Sequence, residues 1–347
     1  MPENYVRRVL CETDELEEFR SCWSALWAED SNATPFQTPE WLLPWWYQFG
    51  NSELRAVVIS RQGRPVVFLP FYIYCEPNRR ERQLLLLGAG KTDYLDGVFA
   101  PECKVEHVRM ALEVLGESPG WDVMHVVQLR KGSLLFQILQ EANGWNLQSF
   151  ATEACSQMRA VPVSQLPVKI RRNAMYYRNR ARRLGELELT LADEENWPAS
   201  FDALVRLHTA RWQQSGQAGV LSDPRVLACH SEAIPQLLRQ GMLRLYSLRL
   251  NGDVLGVAYA LTDPAARASR TLYIYLAAHS IEHASLRPGT LLLASVMEHA
   301  AEEGVQTIDL LRGEESYKKL WHVEPVPTFG FAVNHGVMST EGRLLSA

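Results

Sequence analysis

The stretch LRLYSLRLNGDVLGVAYA, residues 243–260, reads as two apolar strands joined by the two-residue turn Asn251-Gly252. Glycine accepts positive φ without steric cost, so a turn ending in glycine between such strands predicts a tight hairpin. The same pattern, LRAVVISRQGRPVVFLPF, occupies residues 54–71, with Gln62-Gly63 at the turn, 189 residues earlier. The segments after the two hairpins also correspond. The first hairpin leads to an apolar strand at Gln83–Leu87, a loop, a helix near Lys104–Leu115 and the strand WDVMHVVQLRKG. The second leads to RTLYIYLAAHS, a loop, the helix GTLLLASVMEHAAEEG and the strand VQTIDLLRG. Both last strands end in arginine and then glycine, Arg130 with Gly132 and Arg312 with Gly313. A matched order of hairpin, strand, helix and strand predicts two copies of one mixed α/β unit. The proline-punctuated segment VPVSQLP, residues 161–167, is the expected linker, dividing the chain into 1–162 and 163–347.

The totals fit this division. A chain of 347 residues suits about two domains of ordinary size. The hydrophobic fraction is 47% and the charged fraction 22%, the balance of a globular protein. The net charge of −5 supplies no global basic field for nucleic acid or anionic lipid, so either would need a local patch. Six cysteines without a C-x-x-C pair read as free thiols, with neither a disulfide frame nor a metal site expected. The first residues, MPENYVRRVLCETDELEEF, lack a signal-peptide core, and no run reaches the ~18 apolar residues that cross a bilayer. The expected location is the cytoplasm.

Three helices are legible around the second copy. PVKIRRNAMYYRNRARRLG, residues 167–185, puts Ile170, Ala174, Tyr177, Ala181 and Leu184 on one face and Arg171, Arg178 and Arg182 on another. The arginine face is either solvated or a surface for phosphates, which the guanidinium fork binds in a bidentate way. FDALVRLHTARWQQSG puts Phe201, Val205, His208 and Trp212 on one face, with Arg211 beside it. A histidine there is more often a packed core residue than a catalyst. The third helix opens on Arg287, Pro288, Gly289 and Thr290 and closes at Gly304. Its unpaired N–H groups and dipole favour an anion, as at any helix start.

Then comes TIDLLRGEESYKKLW, residues 307–321. An apolar strand stops at Arg312, Gly313 lets the backbone turn, and Glu314, Tyr317, Lys318 and Trp321 share one helix face. A phenol near a leaving group is a general acid, a glutamate can take a proton from the acceptor, and Arg312 or Lys318 can hold an anion. Glu314, Glu315 and Lys319 also suit a solvated helix start, and Leu320 and Trp321 suit packing.

This order resembles the GNAT acyltransferase superfamily. The residues that carry the resemblance are LHTARW (207–212), NGDVLGVAYAL, RPGTLLL and DLLRGEESYKKLW, about half the chain. Within that superfamily the C-terminal half looks like the CelD-like branch of acetyltransferases, linked to bacterial polysaccharide synthesis. The N-terminal half looks like a divergent copy, and the duplicated layout is similar to that of the Fem peptidyltransferases. The resemblance implies an α/β fold with mixed sheets in two tandem GNAT-like domains. It implies acetyl-CoA, or another acyl-CoA, held between TLYIYLAAH and TIDLL. The pyrophosphate would rest on Arg287, Pro288, Gly289 and Thr290. Tyr317, with Arg312 and Glu314, would do the chemistry. Asp93 and Tyr94 of the loop GKTDYLDG (90–97), with His208, Arg211, Trp212 and Lys318, would meet the acceptor. No metal is implied. The usual pyrophosphate loop reads R/Q-x-x-G-x-G/A, whereas here Leu286 and Leu291 fill its first and last positions. The first copy's helix mouth, APECKVEH, has no glycine and so no expected CoA site of its own.

The leading expectation is therefore transfer of an acyl group, by direct attack on the thioester, to a sugar, nucleotide-sugar or other polysaccharide precursor. A Fem-like transferase drawing on aminoacyl-tRNA is the alternative enzyme. A non-catalytic scaffold or sensor in a polysaccharide-synthesis complex is the alternative from another class.

Overall fold

The computed structural model describes residues 5–50, 53–78, 80–141, 147–313 and 315–335. It divides into two compact units, residues 1–153 with 327–347, and residues 154–326.

In chain order the first unit runs β1 (Tyr5–Leu10), α1 (Thr13–Glu29), α2 (Pro39–Phe49), β2 (Glu53–Arg61), β3 (Arg64–Cys75), β4 (Arg82–Leu86), β5 (Val98–Phe99), α3 (Val105–Glu117), β6 (Val123–Arg130), α4 (Leu134–Glu141) and β7 (Leu147–Ala151). The second runs β8 (Cys155–Arg159), α5 (Val168–Arg182), β9 (Leu187–Leu191), α6 (Trp197–Gln214), α7 (Pro224–Arg239), β10 (Leu243–Leu250), β11 (Asp253–Thr262), β12 (Thr271–His279), α8 (Pro288–Glu302), β13 (Thr307–Arg312), α9 (Ser316–Leu320) and β14 (Glu324–Val326). The last strand, β15 (Thr328–Asn334), returns to the first unit.

Both expected hairpins form, β2–β3 and β10–β11. Gln62 and Gly63, and likewise Asn251 and Gly252, all take positive φ, the turn whose twist matches paired strands. The sheets are ordered β1-β2-β3-β4-β6-β15-β7, with β5 on β3, and β9-β10-β11-β12-β13-β8-β14. The two orders correspond strand for strand, and this mixed α/β duplication is the expected fold class. One parallel pair sits in each: β4 with β6, and β12 with β13.

The linker region behaves differently from its sequence reading. The strand after β7 is β8, which pairs with β13 of the second unit. The strand after β14 is β15, which pairs with β6 and β7 of the first. Each copy thus supplies the strand that fills the other copy's sheet. The division accordingly falls at 153/154, ahead of residues 161–167.

Packing obeys the apolar patterns. On one face of the second sheet, α5 and α8 bury Ile170, Ala174, Ala181, Leu291, Val296, Met297 and Ala300 with Leu248, Ala258, Ile274 and Ile308. Each large side chain so buried contributes about 1.5–3 kcal/mol before entropy is counted. In the first unit Trp23 and Trp27 lie in the core, their Nε1–H groups donating to the carbonyls of Gln37 and Thr34, each at 2.8 Å. A buried indole keeps a partner in this way.

Candidate active site

β12 and β13 pair through only three residues, Thr271 with Thr307, Leu272 with Ile308 and Tyr273 with Asp309, and then part. Two local irregularities bend them. The register of β12 against β11 slips between Tyr259 and Ala260, whose partners are Leu276 and Ile274, leaving Tyr275 as the extra residue of a bulge. The register of β13 against β8 slips between Asp309 and Arg312. There Leu311 has φ 56°, and its N–H donates to Asp309 Oδ1 at 2.7 Å.

A cavity of about 410 Å³ occupies the gap. Its walls are the end of β12 (Ala277–His279), Leu310 of β13, the face of α8 with Leu292, Leu293 and Val296, and α9 with Tyr317. Arg287, Pro288, Gly289 and Thr290 line it together. Arg287 adopts the left-handed conformation (φ 51°, ψ 56°), Pro288 opens the helix without an N–H to satisfy, and Gly289 brings the backbone close to β12. Leu291, which fills the last small position of the usual loop, is 1% exposed and packs in the core. The departure from the loop pattern therefore leaves the mouth itself clear.

Tyr317 also lines the cavity. Burial first, then Glu315, raises its phenol to about 12 against the opposing pull of Arg211. It is a protonated donor throughout the physiological range. Arg211, from the last turn of α6, is exposed and lines the cavity, and its guanidinium makes no hydrogen bond or ion pair among the described residues. A guanidinium so placed is ready for an anionic or carbonyl oxygen.

Other expected residues lie elsewhere. Lys318 is 3% exposed, and its ammonium donates to the carbonyls of Leu311 (3.1 Å), Arg312 (2.7 Å) and Gly313 (3.1 Å) and pairs with Glu315 at 2.9 Å. With three protons on three carbonyls it holds the bent end of β13 and has none left for a substrate. Arg312 pairs through its backbone with Cys155 and is absent from the cavity wall. His208 is 5% exposed, and its Nε2 accepts the Trp212 Nε1–H at 2.9 Å. A Cβ on Gly219 would come 2.2 Å from His208 Cε1, so these two side chains pack under the next loop and leave Arg211 to face the cavity. Asp93 and Tyr94 are buried in the first unit, Tyr94 with φ 51° and the Arg130 guanidinium 5.3 Å above its ring. Glu314 lies outside the described residues.

His279 was missed by the sequence reading. It lines the cavity at the end of β12, where burial and then Arg211 lower its pKa, so it is neutral at pH 7. The signal was its place as the last residue of an apolar strand that runs toward a glycine-mouthed helix.

Among the described residues no group of His, Cys, Asp and Glu could hold a metal ion, and no helix is long and apolar enough to cross a membrane. Among the described residues no two cysteines form a disulfide.

Residues 168–319 match the family model of the acetyltransferase (GNAT) domain, an acyltransferase domain that spans most of the second unit. No curated protein matches the chain. Among solved structures, the crystal structure of FemX superimposes with a TM-score of 0.65 at 11% identity, covering 94% of this chain and 98% of its own. L-PGS from Bacillus licheniformis gives 0.57 at 11% identity over 97% and 98%. The C-terminal domain of a putative lysylphosphatidylglycerol synthetase from Agrobacterium fabrum gives 0.56 at 15% identity over 95% and 94%. These likenesses extend over both units and establish the fold.

Proposed function

We propose that the second unit transfers an acyl group, acetyl in the simplest case, from acyl-CoA to an amine or hydroxyl acceptor of the sugar, nucleotide-sugar or polysaccharide-precursor class, in the bacterial cytoplasm. The observation that carries this reading is the parting of β12 from β13 around a cavity with the mouth of α8 at one side and Tyr317 at the other. The mouth suits a diphosphate. Gly289 has no side chain in the way, its N–H lies in the first helical turn where no intrahelical acceptor reaches, and Arg287 and Arg211 supply positive charge. The apolar wall of α8, with Leu292, Leu293 and Val296, suits the acyl-bearing arm.

An acyl-CoA supplies a thioester carbon for direct attack. The acceptor amine must be neutral to attack, and His279, already neutral, takes the proton from it. As the carbon–sulfur bond breaks, the Tyr317 phenol gives its proton to the sulfur. Arg211, beside both groups, steadies negative charge that develops between them. The test is release of free thiol from acetyl-CoA in the presence of a panel of amino sugars and nucleotide sugars. Acceptor-dependent release lost in Tyr317→Phe supports the reading. Release that the variant retains in full refutes it.

A separate observation favours a second donor. α5 carries Lys169, Arg171, Arg172, Arg178, Arg180 and Arg182 and no acidic residue, and Tyr176 on it is exposed. That surface, less Arg178, which pairs with Glu298 at 2.8 Å, suits the phosphates of an aminoacyl-tRNA. Consumption of charged tRNA in place of acyl-CoA would select it.

A further inference from the structure

The first unit holds a cavity of its own, about 250 Å³, lined among others by Asp30, Asn32, Asp96, Ser133 and Gln137, and no Lys, Arg or His is part of its wall. By internal duplication it matches the cavity of the second unit. The first unit's parallel pair likewise holds through three residues, Gln83 with Val123 to Leu85 with His125, and the cavity wall takes up at Gly132, just past the end of β6. The cavity is bounded by the segment that leads into α3 and by the start of α4, as the other is by the segments at α8 and α9. The chemistry of the wall is the reverse: arginine in one copy, aspartate in the other.

We propose that this cavity is a binding site for a small ligand bearing a primary ammonium group, with the Asp96 carboxylate as its partner. Asp96 is 8% exposed. Its Oδ1 accepts the Ser133 hydroxyl at 2.9 Å and the Gly97 N–H at 2.8 Å, while its Oδ2 makes no hydrogen bond among the described residues. The residue is buried while this oxygen has no donor from the fold, and the wall of the cavity, to which Asp96 belongs, is where a donor could reach it. The Gln137 amide, on the same wall, also makes no hydrogen bond among the described residues, and offers an acceptor and two donors for the rest of the ligand.

The surrounding charges favour a cation. The Asp30 carboxylate is fixed at the wall by the N–H groups of Asn32, Ala33 and Phe99. Burial and neighbouring acids push the Cys103 thiol up to about 12, so it stays neutral. Arg130 draws the Asp96 carboxyl down, but its guanidinium lies over the Tyr94 ring and donates to the Asn32 carbonyl. Burial outweighs these and raises Asp96 to about 7. An anion would meet two carboxyls here. A neutral polyol would be held with either protonation state of Asp96, whereas an ammonium requires the ionised one. The site belongs to the first unit and needs no acyl-CoA, so it stands or falls separately from the acyl-donor cavity.

The test is calorimetric titration of the full chain with ethanolamine, whose ammonium stays charged from pH 6 to 8, and with ethylene glycol as the neutral match. The expected result is binding of ethanolamine about tenfold tighter at pH 8 than at pH 6, tracking ionisation of a carboxyl near 7, and no binding of the glycol. Asp96→Asn should lower the affinity at pH 8 at least about tenfold. The pH dependence of the unaltered protein is read independently of the variant's folding. Equal binding of the glycol, affinity that does not rise with pH, full affinity in Asp96→Asn, or no ethanolamine binding at pH 8 would each overturn the proposal.

Discussion

A Cβ built on Gly289 would lie 2.9 Å from Cδ2 of His279, closer than side-chain atoms ordinarily approach. The mouth of α8 and the end of β12 therefore meet through a glycine, and the helix N-terminus opens on the cavity because that position has no side chain. Gly289→Ala forces His279 to shift. It should weaken acyl-CoA binding about tenfold while costing about 1 kcal/mol of stability through mild overpacking. Calorimetric titration and denaturant unfolding separate the two effects.

Tyr317→Phe removes a proton donor and little volume. Turnover should fall about 10²-fold with donor KM nearly unchanged, as for loss of a general acid. Because its phenol is raised to about 12, the unaltered enzyme should show no alkaline loss from this group below about pH 11. A KM effect without a kcat effect would make Tyr317 a packing residue of the cavity wall.

Lys318→Met should cost about 2–4 kcal/mol, since it leaves the carbonyls of Leu311, Arg312 and Gly313 without their shared donor. Lys318→Arg, with a planar fork in place of a compact ammonium, should not restore it. Denaturant midpoints measure both. A Lys318 variant that folds normally and loses only acceptor affinity would return the residue to substrate binding.

His230 is buried against the rings of Phe201, Tyr259 and Tyr275, and burial lowers it to about 4. Below the unfolded value of about 6.5, the unfolded chain takes up a proton that the folded one refuses. Stability should therefore fall as pH drops from about 6.5 to 4, by on the order of 3 kcal/mol from this group. His230→Phe should flatten that part of the pH–stability curve.

Removal of residues 328–347 takes β15 from between β6 and β7, along with the buried Phe331 and Val333. The first unit should lose its cooperative unfolding transition, although the deleted segment is distant from it in sequence. Near-ultraviolet dichroism of Trp23, Trp41, Trp45, Trp46 and Trp121 reports that loss. A truncated chain with an intact first-unit signal would make β15 dispensable.

Much of the fold is legible in local patterns. The glycine turns announce both hairpins because the backbone at Gly63 and Gly252 must take positive φ. The order after each hairpin gives the duplication, and Pro288 with Gly289 marks the helix that faces the cavity. The exchange of β8 and β15 was not legible, since each pairs with strands whose place is set by the other copy. Lys318 looked like a ligand for anions because a sequence shows charges and spacing. It does not show that a left-handed Leu311 and the glycine at 313 turn three carbonyls toward one ammonium. Arg312 was misplaced by the same bend, while Arg211, one of several arginines on α6 and its neighbours, gains its position from the way α6 crosses β11 and β12.

The most direct experiment is calorimetric titration of the purified chain with acetyl-CoA, alongside Gly289→Glu. The carboxylate would occupy the mouth of α8 and repel a diphosphate. Micromolar binding that Gly289→Glu abolishes is the expected result, and it puts the acyl donor at the second unit's cavity. Absence of binding at millimolar acetyl-CoA, or binding that Gly289→Glu leaves intact, would contradict an acyl-CoA site there.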